Sequence, residues 1–213
     1  MQYLVELATL VTNTPWALSR SDRERGHAAG LDDDELLHAI ALSAFFGHLN
    51  RVADAVGVPL DYPVQTEPPH ADPTVPALAP AKTAITGRPA FELSKRPITA
   101  TAFAAWRTYV FERDAPLPRR QRTFIARWVA LWLGDGGISR PDDMTHNPLD
   151  EALRELAEIV TLAPWQLTAA SYQRLRAAGF DDAALFDTVV TASTAGTLSR
   201  IAVALGALGR ERT

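Results

Sequence analysis

Not one cysteine occurs among the 213 residues. Its absence removes disulfide scaffolding, zinc–thiolate and iron–sulfur ligation and every thiol-based catalytic cycle together. The redox compartment is therefore not readable from thiols. No stretch of about 18 residues stays apolar without a polar break, and the N-terminus has no basic start leading into an apolar signal stretch. Neither a membrane span nor secretion is expected, and the cytoplasm is the default. Positive charge is scarce as well, since 21 Lys and Arg face 25 Asp and Glu for a formal charge of -4. A chain so balanced offers no field to draw in a phosphate backbone, so nucleic acid is not an expected partner. The short run PRRQR at 118–122 reads instead as the solvated start of a helix. Also missing is a Gly-x-Ser-x-Gly elbow that would expose a nucleophilic serine. The GDGG at 134–137 lacks the glycine spacing, lysine and hydroxyl of a phosphate-binding loop.

What the chain does have is an apolar content of 47%, enough for a packed core. Its prolines are unevenly spread, with nine of the 15 lying between 59 and 97. Proline lacks an amide donor and restricts the residue before it, so this span predicts an extended connector rather than a helix. The chain divides accordingly into an N-terminal half-unit over 1–60, a connector over 61–97 and a C-terminal unit over 98–209.

The two outer portions are copies. At a constant offset of 149, residues 2–60 and 151–209 agree at 22 of 59 positions without a gap. The matches include Pro15/Pro164, Trp16/Trp165, Gly30/Gly179, Asp32/Asp181 and Arg51/Arg200. Apolar residues recur at three- and four-residue spacing along Leu36, Ile40, Ala44, Phe45, Leu49, Val52 and Val56, and again along Leu185, Phe186, Val189, Thr194, Leu198, Ile201 and Leu205, which predicts a long helix in each copy. Asp32 with Glu35 forms a capping box and Asp181 caps alone. Ser19 and Thr168 are expected to open short helices that stop at Gly30 and Gly179. Two further helices are predicted at about 99–112 and 118–134, ahead of the second copy only. The chain reads as half a unit followed by a complete one, and the half is expected to leave an apolar face in need of cover. A homo-oligomer, dimer or larger, is the expected solution.

Candidate chemistry is sparse. His48 and Arg51 are three apart and so neighbours on a helix, where imidazole and guanidinium share a pocket wall or a structural strip. The second copy keeps the arginine as Arg200 but has Thr197 in place of the histidine, and a duplicated arginine is economically a device for tying helix ends. His48 is the candidate catalytic residue, with Arg51 and Trp128 as candidate ligand-binding residues. His38 reads as a polar position beside a helix stripe. His27, His70 and His146 are too scattered to form a ligand set. Asp135, Asp142, Asp143 and His146 cluster in a glycine-containing segment that has the ordinary contents of a solvent-facing loop, so neither a metal nor a cofactor is predicted. The five tryptophans are expected mainly as core anchors.

The paired segments PWALSRSDRERGHAAGLDDDELLHAIALSAFFGHLNRVADAVGV and PWQLTAASYQRLRAAGFDDAALFDTVVTASTAGTLSRIAVALGAL resemble the carboxymuconolactone decarboxylase/alkylhydroperoxidase D-like superfamily, especially its peroxidase-related members. The resemblance spans 1–60 and about 98–209. It implies an all-α, AhpD-like helical bundle with an internal repeat of helical half-units, assembled into dimers or larger rings. Catalytic peroxidase members carry a glutamate and a Cys-x-x-Cys-x-x-x-His motif. Aligned with that pattern, this chain has Thr123 at the glutamate, Asp135 and Ile138 at the cysteines and Asp142 near the histidine. A thiol-dependent peroxidase is thereby excluded. The resemblance leaves a small-ligand-binding or assembly role, with a small anionic or apolar ligand. The alternatives are a cofactor-free acid–base enzyme acting on a carboxylated, lactone-like substrate at His48 and Arg51, and a structural partner-binding subunit.

Overall fold

The computed structural model describes residues 2–58, 78–79, 97–136 and 147–209. Among them are eight α-helices and no strand: α1 (Gln2–Asn13), α2 (Arg20–Ala28), α3 (Asp33–Val56), α4 (Pro97–Phe111), α5 (Arg119–Trp132), α6 (Pro148–Leu162), α7 (Gln173–Ala177) and α8 (Asp182–Ala207). The architecture is an all-α helical bundle. Helices α4 and α5 fall within two residues of the bounds expected for them. Most of the proline-rich connector lies outside the described residues, as do His70, Ile138, Asp142, Asp143 and His146.

The helix starts are fixed by local chemistry that the sequence spells out. Asp32 accepts the amide of Glu35 at 2.8 Å, and the Glu35 carboxylate accepts the amide of Asp32 at 2.8 Å, so two orphan donors of α3 are satisfied reciprocally. Asp181 caps α8 alone, accepting the Ala184 amide at 2.8 Å. Ser19 opens α2, with its amide donating to Asp22 at 2.9 Å. Gly30 and Gly179 end the preceding short helices with φ of 90° and 92°, where a side chain would be strained. In the second copy the short helix is divided into a 3-10 turn (Ala169–Tyr172) and α7. Further features fall at the same offset of 149. Each copy has a 3-10 turn on its Pro-Trp corner, and Arg25 pairs with Glu6 where Arg174 pairs with Glu155.

Helix α8 is the centre of the bundle, with α3 along one side and α5 and α6 along others. By length and composition it could cross a membrane, but 72% of its most apolar stretch is buried against the other helices. One apolar cluster joins α5, α6 and α8 through Phe124, Ile125, Val129, Leu153, Leu156 and Val189. A second joins α1, α3 and the end of α8 through Leu7, Val11, Leu36, Ile40, Ile201 and Ala204. Trp16 packs against both. Burying each of the Val, Leu, Ile and Phe side chains contributes roughly 1.5–3 kcal/mol.

Several residues of the predicted core stripes face outward instead. Phe45 and Leu49 are each 44% exposed and Phe186 is 48% exposed, as is Val56. Trp165 is 44% exposed while Trp16 is half-buried, so the paired corner tryptophans are not equivalent anchors. The reason lies in what covers each long helix. Helix α5 packs along α8, placing Val129 against Gly196 and Arg122 against Asp187 and Thr191. Consequently Thr191, Thr194 and Ala195 are buried. At the same offset on α3 stand Leu42, Phe45 and Phe46, all exposed. No helix among the described residues takes on α3 the place that α5 takes on α8, and the bare apolar face expected of the first copy is present there.

Buried charge is held at the start of α5. Arg122 is fully buried and donates to the carbonyls of Leu117 (2.8 Å), Val110 (2.8 Å) and Arg113 (3.1 Å) and to the Asp187 carboxylate. Arg113 reaches the same carboxylate at 3.0 Å. This network ties the α4–α5 turn to α8. Arg120 and Asp150 form a two-pronged pair at 3.0 and 2.9 Å that joins α5 to α6. The basic run is therefore structural, as a solvated helix start with one buried member.

Candidate functional site

Arg51 and Arg200 are both buried, and both point into backbone carbonyls. Arg51 Nε donates to the Thr161 carbonyl at 3.2 Å and its Nη1 to the Gly47 carbonyl at 2.8 Å. Arg200 Nε donates to the Thr12 carbonyl at 2.9 Å and its Nη2 to that of Thr161 at 2.9 Å. Thr12 and Thr161 are the penultimate residues of α1 and α6 and are themselves 149 apart. Each copy's arginine thus closes the C-terminal end of the other copy's first helix, where unpaired carbonyls and the helix dipole both favour a cation. Burial pushes the Arg51 pKa down to about 10. Arg200 is driven well below its ordinary value by burial, and then by the neighbouring charge of Arg51.

His48 is buried on α3. Its Nδ1 lies 2.9 Å from Ser193 Oγ, and that hydroxyl lies 3.2 Å from the His48 carbonyl. A carbonyl only accepts, so both contacts are satisfied when Ser193 donates to the carbonyl and receives the Nδ1 proton. This assigns the neutral Nδ1–H tautomer. Burial, then the Arg51 charge, lowers the His48 pKa, while the bond to Ser193 works the other way. The imidazole is therefore an uncharged ring at neutral pH.

Two of the rings beside it line a half-open cavity of about 650 Å³ between α3, α4 and α8. The His48 ring centroid is 5.3 Å from that of Trp106 and 6.2 Å from that of Phe45, and both of these residues line the cavity. Helix α4 contributes Phe103 and Trp106, which meet edge to face at 5.6 Å. Helix α3 contributes His38, Leu42 and Phe45, and α8 contributes Thr197 and Ile201. No Asp, Glu, Lys or Arg lines the cavity among the described residues. A concave, largely apolar wall with a few polar groups is the usual form of a small-molecule site.

Trp128 is placed elsewhere. It stacks on Trp132 at 5.9 Å and meets Phe124 edge-on at 6.4 Å, packed against the α5–α6–α8 cluster, and its Nε1 finds no partner among the described residues. Asp135 is buried and accepts from Ser199 at 3.1 Å. Thr123 is exposed on α5. No group of three or more His, Asp or Glu suited to a metal occurs among the described residues. The predicted pair therefore separates, with His48 beside the cavity and Arg51 directed into the backbone.

Sequence reading had passed over His38, Leu42, Phe103 and Trp106 as site residues. A signal for Leu42 was present, because Leu42, Phe45 and Phe46 are bulky where the second copy has Thr191, Thr194 and Ala195. Nothing in α4 foretold how far it stands from α3. No protein-family model matches this chain, and no curated protein or solved structure matches it either.

Proposed function

We propose that the chain is a small-ligand-binding protein on the pattern of the carboxymuconolactone decarboxylase/alkylhydroperoxidase D-like superfamily, built from duplicated helical half-units and without thiol peroxidase chemistry. The cavity between α3, α4 and α8 is its binding site. The observation that carries the reading is the cavity itself, about 650 Å³ in volume and walled by Leu42, Phe45, Phe103, Trp106 and Ile201. The lack of cysteine leaves no thiol to run a peroxide-reducing disulfide cycle. The ligand is apolar rather than anionic, since Arg51, the cation nearest to His48 in sequence, directs its Nε and Nη1 at carbonyls. An acid–base reaction on a carboxylated lactone accordingly has no cationic anchor in the cavity wall among the described residues.

The test is titration with an uncharged environment-sensitive dye such as Nile red. Wild-type protein should bind it saturably, and Ala41→Trp, which fills the cavity from α3, should abolish binding while the helical circular dichroism is retained. Equal binding by both proteins would place the dye elsewhere and defeat the assignment.

The exposed strip Leu42, Phe45, Phe46 and Leu49 favours a second reading, self-association along α3. On α8 the corresponding strip is covered by a helix, so a helix of a second copy is the cover expected here. Mass measurement in solution decides it. A dimer or larger assembly that dissociates in Phe46→Glu supports the reading, and a wild-type monomer at high concentration removes it.

A further inference from the structure

We infer that the α3–α4–α8 cavity selects an uncharged apolar molecule bearing a hydroxyl group, of the phenol or alcohol class, and that His38 receives the hydroxyl proton. The inference rests on the apolar-ligand reading above and adds to it the chemistry of the polar wall. His38 lines the cavity, and its Nδ1 lies 2.6 Å from the Asp34 carbonyl one turn earlier in α3. Because a carbonyl has no proton to give, Nδ1 carries the hydrogen and donates it. In its uncharged form the ring therefore keeps its lone pair on Nε2, at the edge opposite the backbone bond. Thr197 is likewise committed, its Oγ1 lying 3.0 Å from the Ser193 carbonyl and 3.3 Å from that of Ala44, so its proton is spent and it offers only lone pairs. Among the described residues, the donors left in the wall are the Trp106 indole and the Thr99 hydroxyl.

This set discriminates among ligand groups. A carboxylate would face lone pairs of His38 and Thr197 with no cation in the lining among the described residues, and a desolvated charge without a counter-charge is costly. A ketone or ether has no proton for the imidazole. A hydroxyl group donates to His38 Nε2 and still accepts from an indole or hydroxyl, so both halves of the wall are used. The aromatic faces of Phe45, Phe103 and Trp106 favour a planar apolar body behind that group.

The experiment uses naphthalene, naphthol and naphthoate as displacers of Nile red from the full chain, at mildly alkaline pH where naphthol is uncharged. Naphthol should bind roughly three- to tenfold tighter than naphthalene, as one net hydrogen bond allows, and naphthoate should bind weakest. His38→Leu should bring naphthol down to the affinity of naphthalene without changing the latter. His38→Gln, whose side-chain oxygen still accepts, should keep part of the preference. Equal affinities for naphthol and naphthalene in the wild type, or tightest binding by naphthoate, would overturn the inference while leaving the apolar site intact. No displacement by any of the three, together with no binding of Nile red, would overturn the apolar-ligand reading itself.

Discussion

Replacing Arg200 tests whether the crossed arginines hold the two copies together by shape or by charge alone. In the native protein one guanidinium spans two helix ends, reaching the Thr12 and Thr161 carbonyls at 2.9 Å each. A hydrogen bond from a charged group contributes about 1.5–3 kcal/mol, so Arg200→Met should lose roughly 3–6 kcal/mol before relaxation. Two effects reduce the loss. Thr161 keeps its bond from Arg51, and Arg51 is relieved of a like charge beside it. A net destabilisation of about 3–4 kcal/mol is expected, read as a fall in thermal midpoint of roughly 6–16 °C for a chain of this size. Arg200→Lys is the informative comparison, because an ammonium keeps the charge but has no planar fork to bridge two carbonyls. It should lose nearly as much as Arg200→Met when unfolding is followed by far-ultraviolet circular dichroism in urea. If Arg200→Lys stays within about 1 kcal/mol of wild type, a positive charge near the helix dipoles suffices and the bridging argument is refuted.

Two further predictions follow from the same surroundings. A Cβ on Gly196 would come within 2.7 Å of Arg200 Nη1, so Gly196→Ala should destabilise the protein in urea unfolding even though alanine is favoured over glycine by about 1 kcal/mol within a helix; a stabilised variant would contradict this. For His48 the folded-state pKa lies below the ordinary 6.5, so the unfolded chain takes up its proton first as pH falls. The stability contributed by the neutral ring is complete above about pH 6.5 and declines as the pH drops below it. Thermal midpoints measured from neutral to mildly acidic pH should fall less steeply in His48→Gln than in wild type, and parallel slopes would remove His48 from the account.

Much of the fold was legible because its signals are local or duplicated. Asp32 with Glu35, Asp181, Gly30 and Gly179 each act on their own turn of chain, and their roles in capping and stopping helices are those read from the residues. Arg51 and Arg200 stood out because the same residue recurred at one offset, and tying helix ends is what their Nε atoms do. The carbonyls they reach were not legible, since Thr12 and Thr161 are 188 and 39 residues from Arg200 in the chain. Nothing in the spacing of His48 and Arg51 distinguished a shared pocket from a shared helix turn; burial of Arg51 against backbone separates them. The outward turn of Phe45 and Leu49 escaped the periodicity for a related reason. An apolar stripe records that a face avoids water, but not whether a helix, a ligand or a second chain covers it. The cavity depends on how α4 leans across α3 and α8, and a helix with apolar residues on most sides, such as TATAFAAWRTYV, carries no directional pattern to announce its place.

The most direct measurement for the central claim is the nuclear magnetic resonance spectrum of the five tryptophan indole N–H groups during titration with naphthol. Trp106 lines the cavity, whereas Trp132 is buried in the α5–α6–α8 cluster. The account predicts a saturable shift of the Trp106 resonance, assigned by Trp106→Phe, with the Trp132 resonance unmoved. A static Trp106 signal, or shifts of equal size at all five indoles that never saturate, would contradict a ligand site between α3, α4 and α8.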